Sequence, residues 1–205
     1  MIADKTYIQS YCTIQNNKVT LNGEMIFESE SDLFSDFSKK AYQYFEINYP
    51  KFFKMDDLSK LAFLAAELLL KNEMDGTKEN NIALVFANAS SSLDTDVKYQ
   101  NSINDKENYY PSPAVFVYTL PNICLGEISI RHQLKSENSF FIFAEFNPLF
   151  TGNYANLLLK TKKADKVLCG WVDFYKEEYK AFLYLVSNEG TTEHNEQTLK
   201  TFYNK

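Results

Sequence analysis

Three short runs, residues 82–87 (IALVFA), 139–144 (SFFIFA) and 166–174 (KVLCGWVDF), are apolar almost without interruption. A strand with one solvated face alternates polar and apolar residues, whereas a strand covered on both faces is apolar throughout. These runs therefore predict a sheet enclosed between layers of helix. Helical patterns do fall between them. Leu58, Leu61, Ala62, Ala65, Leu68 and Leu69 recur at helical spacing behind Met55-Asp56-Asp57, which has the chemistry of a helix start. Further helices are predicted for the aromatic-rich segment from Leu33 and Phe34 to Phe45, from the capping serines Ser90, Ser91 and Ser92 to about Ile103, across residues 121–134, and across 152–163. Residues 7–15 suit a strand, and Asn16-Asn17 and Asn22-Gly23 suit turns of a small hairpin. A last strand, 179–186, can pair antiparallel with 166–174 across residues 175–178. The predicted architecture is α/β, with α/β/α layers around a five-stranded mixed sheet. Residues 1–187 form one domain in this reading, and 188–205 form a polar, exposed tail that can end in a short helix.

Composition narrows the function. A net charge of -6 disfavours nucleic acid as a partner, because phosphate binding needs a basic face that releases counterions. The three cysteines, Cys12, Cys124 and Cys169, are odd in number, far apart and without C-x-x-C spacing. Neither a disulfide framework nor a zinc site is indicated, and a reducing, cytoplasmic setting is expected. The start, MIADKTYIQSY, lacks the basic and apolar regions of a signal peptide. The apolar run from Leu61 to Leu70 is interrupted by Glu67, so no membrane span is expected. Asp94 and Asp96 suit a solvated first helical turn better than a metal site. No metal or cofactor is called for.

Residues 82–186 also carry a resemblance. Residues 82–93 (IALVFANASSSL) resemble a core strand and Ser/Gly-rich turn of the β-ketoacyl-acyl-carrier-protein synthases. Residues 119–135 (TLPNICLGEISIRHQLK) resemble the segment that ends in A-I-R-x-G-L-K before that family's nucleophile strand. Residues 139–173 resemble the nucleophile strand, its turn, and the following helix and strand, with Ala164, Asp165 and Gly170 placed as in A-D-x-x-x-x-G. The upstream YPKFFKMDDLSKLAFLAAELLL is similar to the family's preceding helix. The match covers roughly residues 7–186 through a succession of moderate motifs. It implies a thiolase-like fold, in the form of the family's N-terminal half.

The resemblance also implies what is missing. Active members end the nucleophile strand in a turn of small residues that sets a cysteine at a helix N-terminus, where the dipole favours thiolate. Here the equivalent run is Ala144-Glu145-Phe146-Asn147-Pro148. Glu145 stands at the thiol's position, a carboxylate is a poor acyl carrier, and Phe146 and Pro148 replace small residues. The family's two catalytic histidines belong to a C-terminal half, and neither His132 nor His194 stands in a matching motif. No catalytic residue is assigned, and the expected role is binding: an accessory subunit of fatty-acid, polyketide or aryl-polyene pigment synthesis. The alternative is a homodimeric module that holds an acyl chain or another hydrophobic ligand in a crevice at Glu145, Phe146 and Asn147. Lys160, Lys162, Lys163 and Lys166 form a basic cluster that can dock an acidic acyl carrier protein. Phe140, Phe141, Ile142 and Phe143 lie on the strand by which related ketosynthases join their sheets. They are expected at an interface with a second copy or with a full-length ketosynthase.

Overall fold

The computed structural model describes residues 5–73, 80–107 and 109–205. The N-terminal stretch assessed for a leader begins outside that set. An eight-stranded sheet runs in the order β3-β2-β1-β7-β6-β4-β5, with β8 paired to β1. The strands are β1 Tyr7–Gln15, β2 Lys18–Leu21, β3 Glu24–Glu28, β4 Ile82–Asn88, β5 Asn138–Ile142, β6 Lys166–Tyr175, β7 Glu178–Ser187 and β8 Thr192–Glu193. The helices are α1 Phe34–Tyr44, α2 Asp57–Leu70, α3 Leu93–Ile103, α4 Pro113–Phe116, α5 Ile123–His132, α6 Pro148–Lys160 and α7 Glu196–Tyr203, with a 3-10 turn at Pro50–Lys54.

Two of the apolar runs, β4 and β6, lie inside the sheet, whereas the third, β5, is its outer strand and has no fully buried position, so its expected burial on both faces is corrected to partial cover. β4 pairs parallel with both β5 and β6, and β6 pairs antiparallel with β7 in the predicted hairpin. Period-two geometry divides each strand between two cores. Leu84, Phe86, Leu168, Val172, Leu183 and Leu185 join the core formed with α1, α2 and α5. Ala83, Val85, Val167, Cys169, Trp171, Phe182 and Tyr184 join the core beneath α6 and α7. Because both faces are covered, Ile82–Asn88 is buried at every position. Gly170 shows why the chain needs glycine here. Its φ is +149°, and an added Cβ would lie 2.0 Å from the Phe182 carbonyl oxygen across the hairpin.

Two further expectations are corrected. The sheet has eight strands rather than five, because the Asn-rich turns close a paired hairpin, β2 with β3, and β8 adds to β1. The segment expected as an exposed tail is folded onto the body. His194 N–H donates to the Thr6 carbonyl at 2.9 Å, Leu199 of α7 is fully buried, and Phe202 stacks on Tyr11 at 4.2 Å. An apolar stripe at i, i+3 and i+4 (Leu199, Phe202, Tyr203) gives this short helix one adhesive face.

Helix starts follow local chemistry. Asp56 caps α2 by accepting from Ser59 N–H. Asn147 caps α6, with Pro148 at the first helical position, ahead of the predicted start at Gly152. The serines before α3 do not cap it with their side chains. Ser90 bonds instead to Asp173, through its N–H at 2.9 Å and its hydroxyl at 3.3 Å, and Ser92 Oγ donates to the Thr119 carbonyl at 2.9 Å.

Candidate functional site

The turn that follows β5 is the natural place to look for chemistry, since it lies at the carboxyl ends of the parallel strands. β4 and β5 run out together, and Phe143 N–H donates to the Asn88 carbonyl at 2.9 Å. Asn88, fully buried, folds its own side chain back onto Ser91, accepting from N–H and donating to C=O. The chain then turns through Ala144 and Glu145 into α6. No residue from Phe143 to Pro148 takes a left-handed backbone, so the turn is relaxed.

The three predicted ligand residues face different ways. Glu145 is exposed. Phe146 is buried, in edge contact with Phe182 at 5.6 Å and Trp171 at 6.4 Å. Asn147 uses its side chain to cap α6, accepting from Phe150 N–H at 3.0 Å. Sequence reasoning missed Tyr203. Its ring stacks on Phe146 at 4.7 Å, so the last helix covers the turn. Burial pushes the Tyr203 phenol up, and the charges of Asp173 and Glu145 push it further. Lys180 donates to the Tyr203 carbonyl at 2.7 Å and sits 3.8 Å from the centre of its ring. The spacing of Leu199, Phe202 and Tyr203 was the available signal for this helix.

No nucleophile and base converge on the turn among the described residues. All three cysteines are buried, and burial pushes each thiol well up, away from the thiolate form. The two histidines lie in different cores, on opposite faces of the sheet. His132, at the end of α5, places Nε2 3.0 Å from Glu67 of α2, whose other oxygen takes Arg131 at 2.7 Å. Burial raises the Glu67 carboxyl, but the adjacent His132 and the bonds from Arg131 outweigh it and hold the group at about 2. His194 stacks near Tyr184 and places Nδ1 3.1 Å from Thr6 Oγ1, while its Nε2 is buried without a hydrogen-bond partner among the described residues. Burial lowers it to about 4.

The basic cluster lies at the far end of α6 from the turn, a helix of 13 residues and hence about 20 Å long. Lys160 and Lys162 are exposed, Lys163 Nζ is 3.5 Å from Glu137, and Lys166 is paired with Glu73.

β5 is the open edge of the sheet. Glu137 C=O and Phe143 N–H are bonded to β4. By the alternation of a parallel ladder, Asn138, Phe140 and Ile142 direct their N–H and C=O groups away from the sheet. Ile142 is half exposed. Phe141 and Phe143 stand beside Phe150 of α6 at 4.7 and 5.0 Å, and Tyr154 completes that aromatic row. The predicted interface residues are thus brought together along one edge.

No protein-family model matches the sequence, and no curated protein matches it. The fold, in contrast, has clear counterparts. The ishigamide ketosynthase/chain length factor superposes with a TM-score of 0.62 at 15% identity, over 89% of this chain and 62% of that one. The ketosynthase ApeO in complex with its chain length factor ApeC, from Xenorhabdus doucetiae, gives 0.61 at 13% identity, over 98% and 90%. AntDE:AntF, a type II polyketide synthase acyl-carrier protein in complex with its ketosynthase, gives 0.58 at 15% identity, over 96% and 64%. The chain has the thiolase-like α/β fold of the ketosynthases. It spans about three fifths of the first and third of these neighbours and most of the second. Among the described residues, no helix is long and apolar enough to cross a membrane.

Proposed function

We propose that this chain is a ketosynthase-like subunit without condensing activity, which serves fatty-acid, polyketide or aryl-polyene pigment synthesis by pairing with a full-length ketosynthase. The observation that carries the reading is the edge of β5, where the backbone groups of Asn138, Phe140 and Ile142, which have no strand partner among the described residues, run beside an aromatic row. Such an edge is a template for strand addition, and left bare it invites aggregation. Glu145 in place of a thiol supports a role in binding rather than turnover, as do two histidines held in separate cores. Among the structural neighbours are a ketosynthase with its chain length factor and a ketosynthase with its acyl-carrier protein, which supports partners of that kind. Carrier-protein docking falls to Lys160, Lys162 and Lys163, the three exposed members of the basic cluster.

The test is co-expression of the tagged chain with each full-length ketosynthase of its source genome, followed by size-exclusion chromatography with light scattering. A one-to-one complex with one of them is expected, and Ile142→Lys should abolish it, because a lysine buried at the strand junction has no partner. A homodimer that ignores every ketosynthase would favour the acyl-binding module instead. A concentration-independent monomer under both conditions would sink both readings.

A further inference from the structure

The last stretch of the chain is tied to the body at few points. After β7 ends at Ser187, the chain passes Gly190, whose φ of +148° favours glycine, and lays β8 against β1 at two residue pairs, Tyr7 with Glu193 and Ile8 with Thr192. α7 starts two residues beyond His194, capped by Asn195. It rests on the body through Leu199, Phe202 and Tyr203, and the rings under it are Tyr11 of β1, Phe182 of β7 and Phe146 of the turn after β5. A helix of eight residues does not persist by itself, so this unit is formed only while it is docked. Segments with so few anchors are the ones that open while the rest of a fold stays closed.

One of those anchors can take up a proton. His194 is buried, and its hydrogen bonds fix where its own hydrogen sits. Thr6 Oγ1 donates its single proton to Asn156 Oδ1 at 2.6 Å, so the 3.1 Å contact between His194 Nδ1 and Thr6 Oγ1 requires the hydrogen on Nδ1. Asn156 Oδ1, a second acceptor, is 3.3 Å from the same nitrogen. Nε2 is left as a bare lone pair, buried and without a partner among the described residues. It faces Gly152 of α6, where a Cβ would lie 3.7 Å from Nε2 and 3.7 Å from Leu199 Cδ1.

A proton placed on Nε2 therefore finds no acceptor. The titratable groups on the packed elements are Tyr184 of β7, which gives its hydroxyl to Thr151, and behind it Cys169 of β6; burial keeps both neutral. The nearby charges, Glu193 with Lys5 at 3.6 Å and Glu196 with Lys200 at 2.6 Å, are paired with each other in the exposed layer. Burial accordingly lowers the imidazole to about 4. Uptake of a proton requires the side chain to leave its site, which breaks its bonds to Thr6 and Asn156 and frees both β8 and the start of α7.

We propose that β8 and α7 form a strap closed over the turn after β5, latched by the His194 side chain and released as a unit when that imidazole takes up a proton. Release bares the rings of Tyr11, Phe146 and Phe182 next to Glu145 while the sheet stays folded.

Native-state hydrogen exchange on the full chain tests the strap. Amides of α7 are expected to be less protected than those of β4 and β6, through an opening that hardly responds to low urea, since it exposes little surface. Their protection should fall by about tenfold per pH unit between about pH 6 and about pH 4.5, the slope of one proton bound on opening. His194→Gln should make α7 protection level across that window. Leu199→Ala, which keeps the latch and weakens the docking, should lower α7 protection by at least about tenfold at neutral pH and retain the slope. Amides of α7 that exchange only together with β4, at equal protection and with equal urea dependence, overturn the strap. A slope in His194→Gln equal to that of the native chain, or a level profile in Leu199→Ala, overturns the latch.

Discussion

Tyr203 lies stacked on Phe146, ring centres 4.7 Å apart at 29°, and through that contact the last helix of the chain is fastened to the turn after the edge strand. The contact is aromatic and long-range in sequence, and it joins α7 to Phe146, which the sequence resemblance sets where ketosynthases carry a small residue. α7 has eight residues, too few for an isolated helix to persist in water. Docking by Leu199, Phe202 and Tyr203 is what keeps it formed.

That coupling is measurable. Phe146→Ala should destabilise the protein by about 3–5 kcal/mol and Tyr203→Ala by less, because only the first empties a core site. In a double-mutant cycle followed by urea unfolding, the pair should show a coupling of about 0.5–1.5 kcal/mol. Strict additivity would mean that the stack contributes only buried area.

Two glycines should respond in opposite senses. At Gly170, an added methyl would lie 2.0 Å from a backbone oxygen of the neighbouring strand. Gly170→Ala should therefore break the β6–β7 hairpin and leave little soluble protein. At Gly126, in the middle of α5, an added Cβ meets nothing within 4 Å. Gly126→Ala should raise stability by about 0.5–1 kcal/mol, the gain expected for alanine in a helix interior. Thermal melts of the two variants beside the native chain decide the matter, and equal behaviour would contradict the geometry.

How legible each element is in the sequence follows from what holds it in place. β4, β6 and β7 were visible because burial on both faces leaves nearly continuous apolar runs, β5 because its three aromatic and aliphatic residues stand together even though the strand is only partly covered, and α2 because Asp56 announces it and its apolar residues surround it. α7 was hidden by its composition: three apolar side chains in NEQTLKTFYNK are a weak signal until the surface they dock on is known. The start of α6 was readable in Asn147-Pro148, a cap followed by a first-turn proline, yet apolar periodicity alone begins later, at Gly152. Glu145 and its neighbours were located by resemblance. The cover over them was not, since Tyr203 lies far along the chain and only tertiary packing brings it to Phe146.

Acid should unfold this protein in two stages. His194 is buried and held at about 4, against 6.5 for the free side chain, with Thr6, Asn156 and Tyr184 as its polar neighbours and no carboxylate bonded to it among the described residues. Its folded value is the lower one, so between pH 6.5 and 4 the unfolded chain binds more protons. Stability is full above the unfolded value and falls as pH falls through that window, by about 3 kcal/mol. Glu67, held at about 2 against 4.5, adds a second loss below pH 4.5 by the same sign rule. Urea midpoints measured from about pH 8 to about pH 3 should show both stages, and His194→Gln should flatten the first alone. A native profile that is level from about pH 6.5 to about pH 5 would contradict the buried neutral imidazole.

The last expectation concerns chemistry at the turn. Purified chain should form no ketoacyl product from malonyl and acyl thioesters, and Glu145→Cys should not restore it. A thiol at position 145 would sit on an exposed turn with relaxed backbone, just ahead of the Asn147 cap, with Tyr203 and Phe146 filling the adjoining space. Condensation also needs groups that polarise the thioester carbonyl and assist decarboxylation. His132 is held against Glu67 on one face of the sheet and His194 against Thr6 and Asn156 on the other, so neither reaches the turn without dismantling a core. Removing the cover should not help: Glu145→Cys/Tyr203→Ala frees the space and still lacks a base. Mass spectrometry can report both the product and any acyl group on the introduced thiol. Slow acylation without condensation is compatible with this geometry, whereas ketoacyl product above the rate of the native chain in either variant would show that the site is complete.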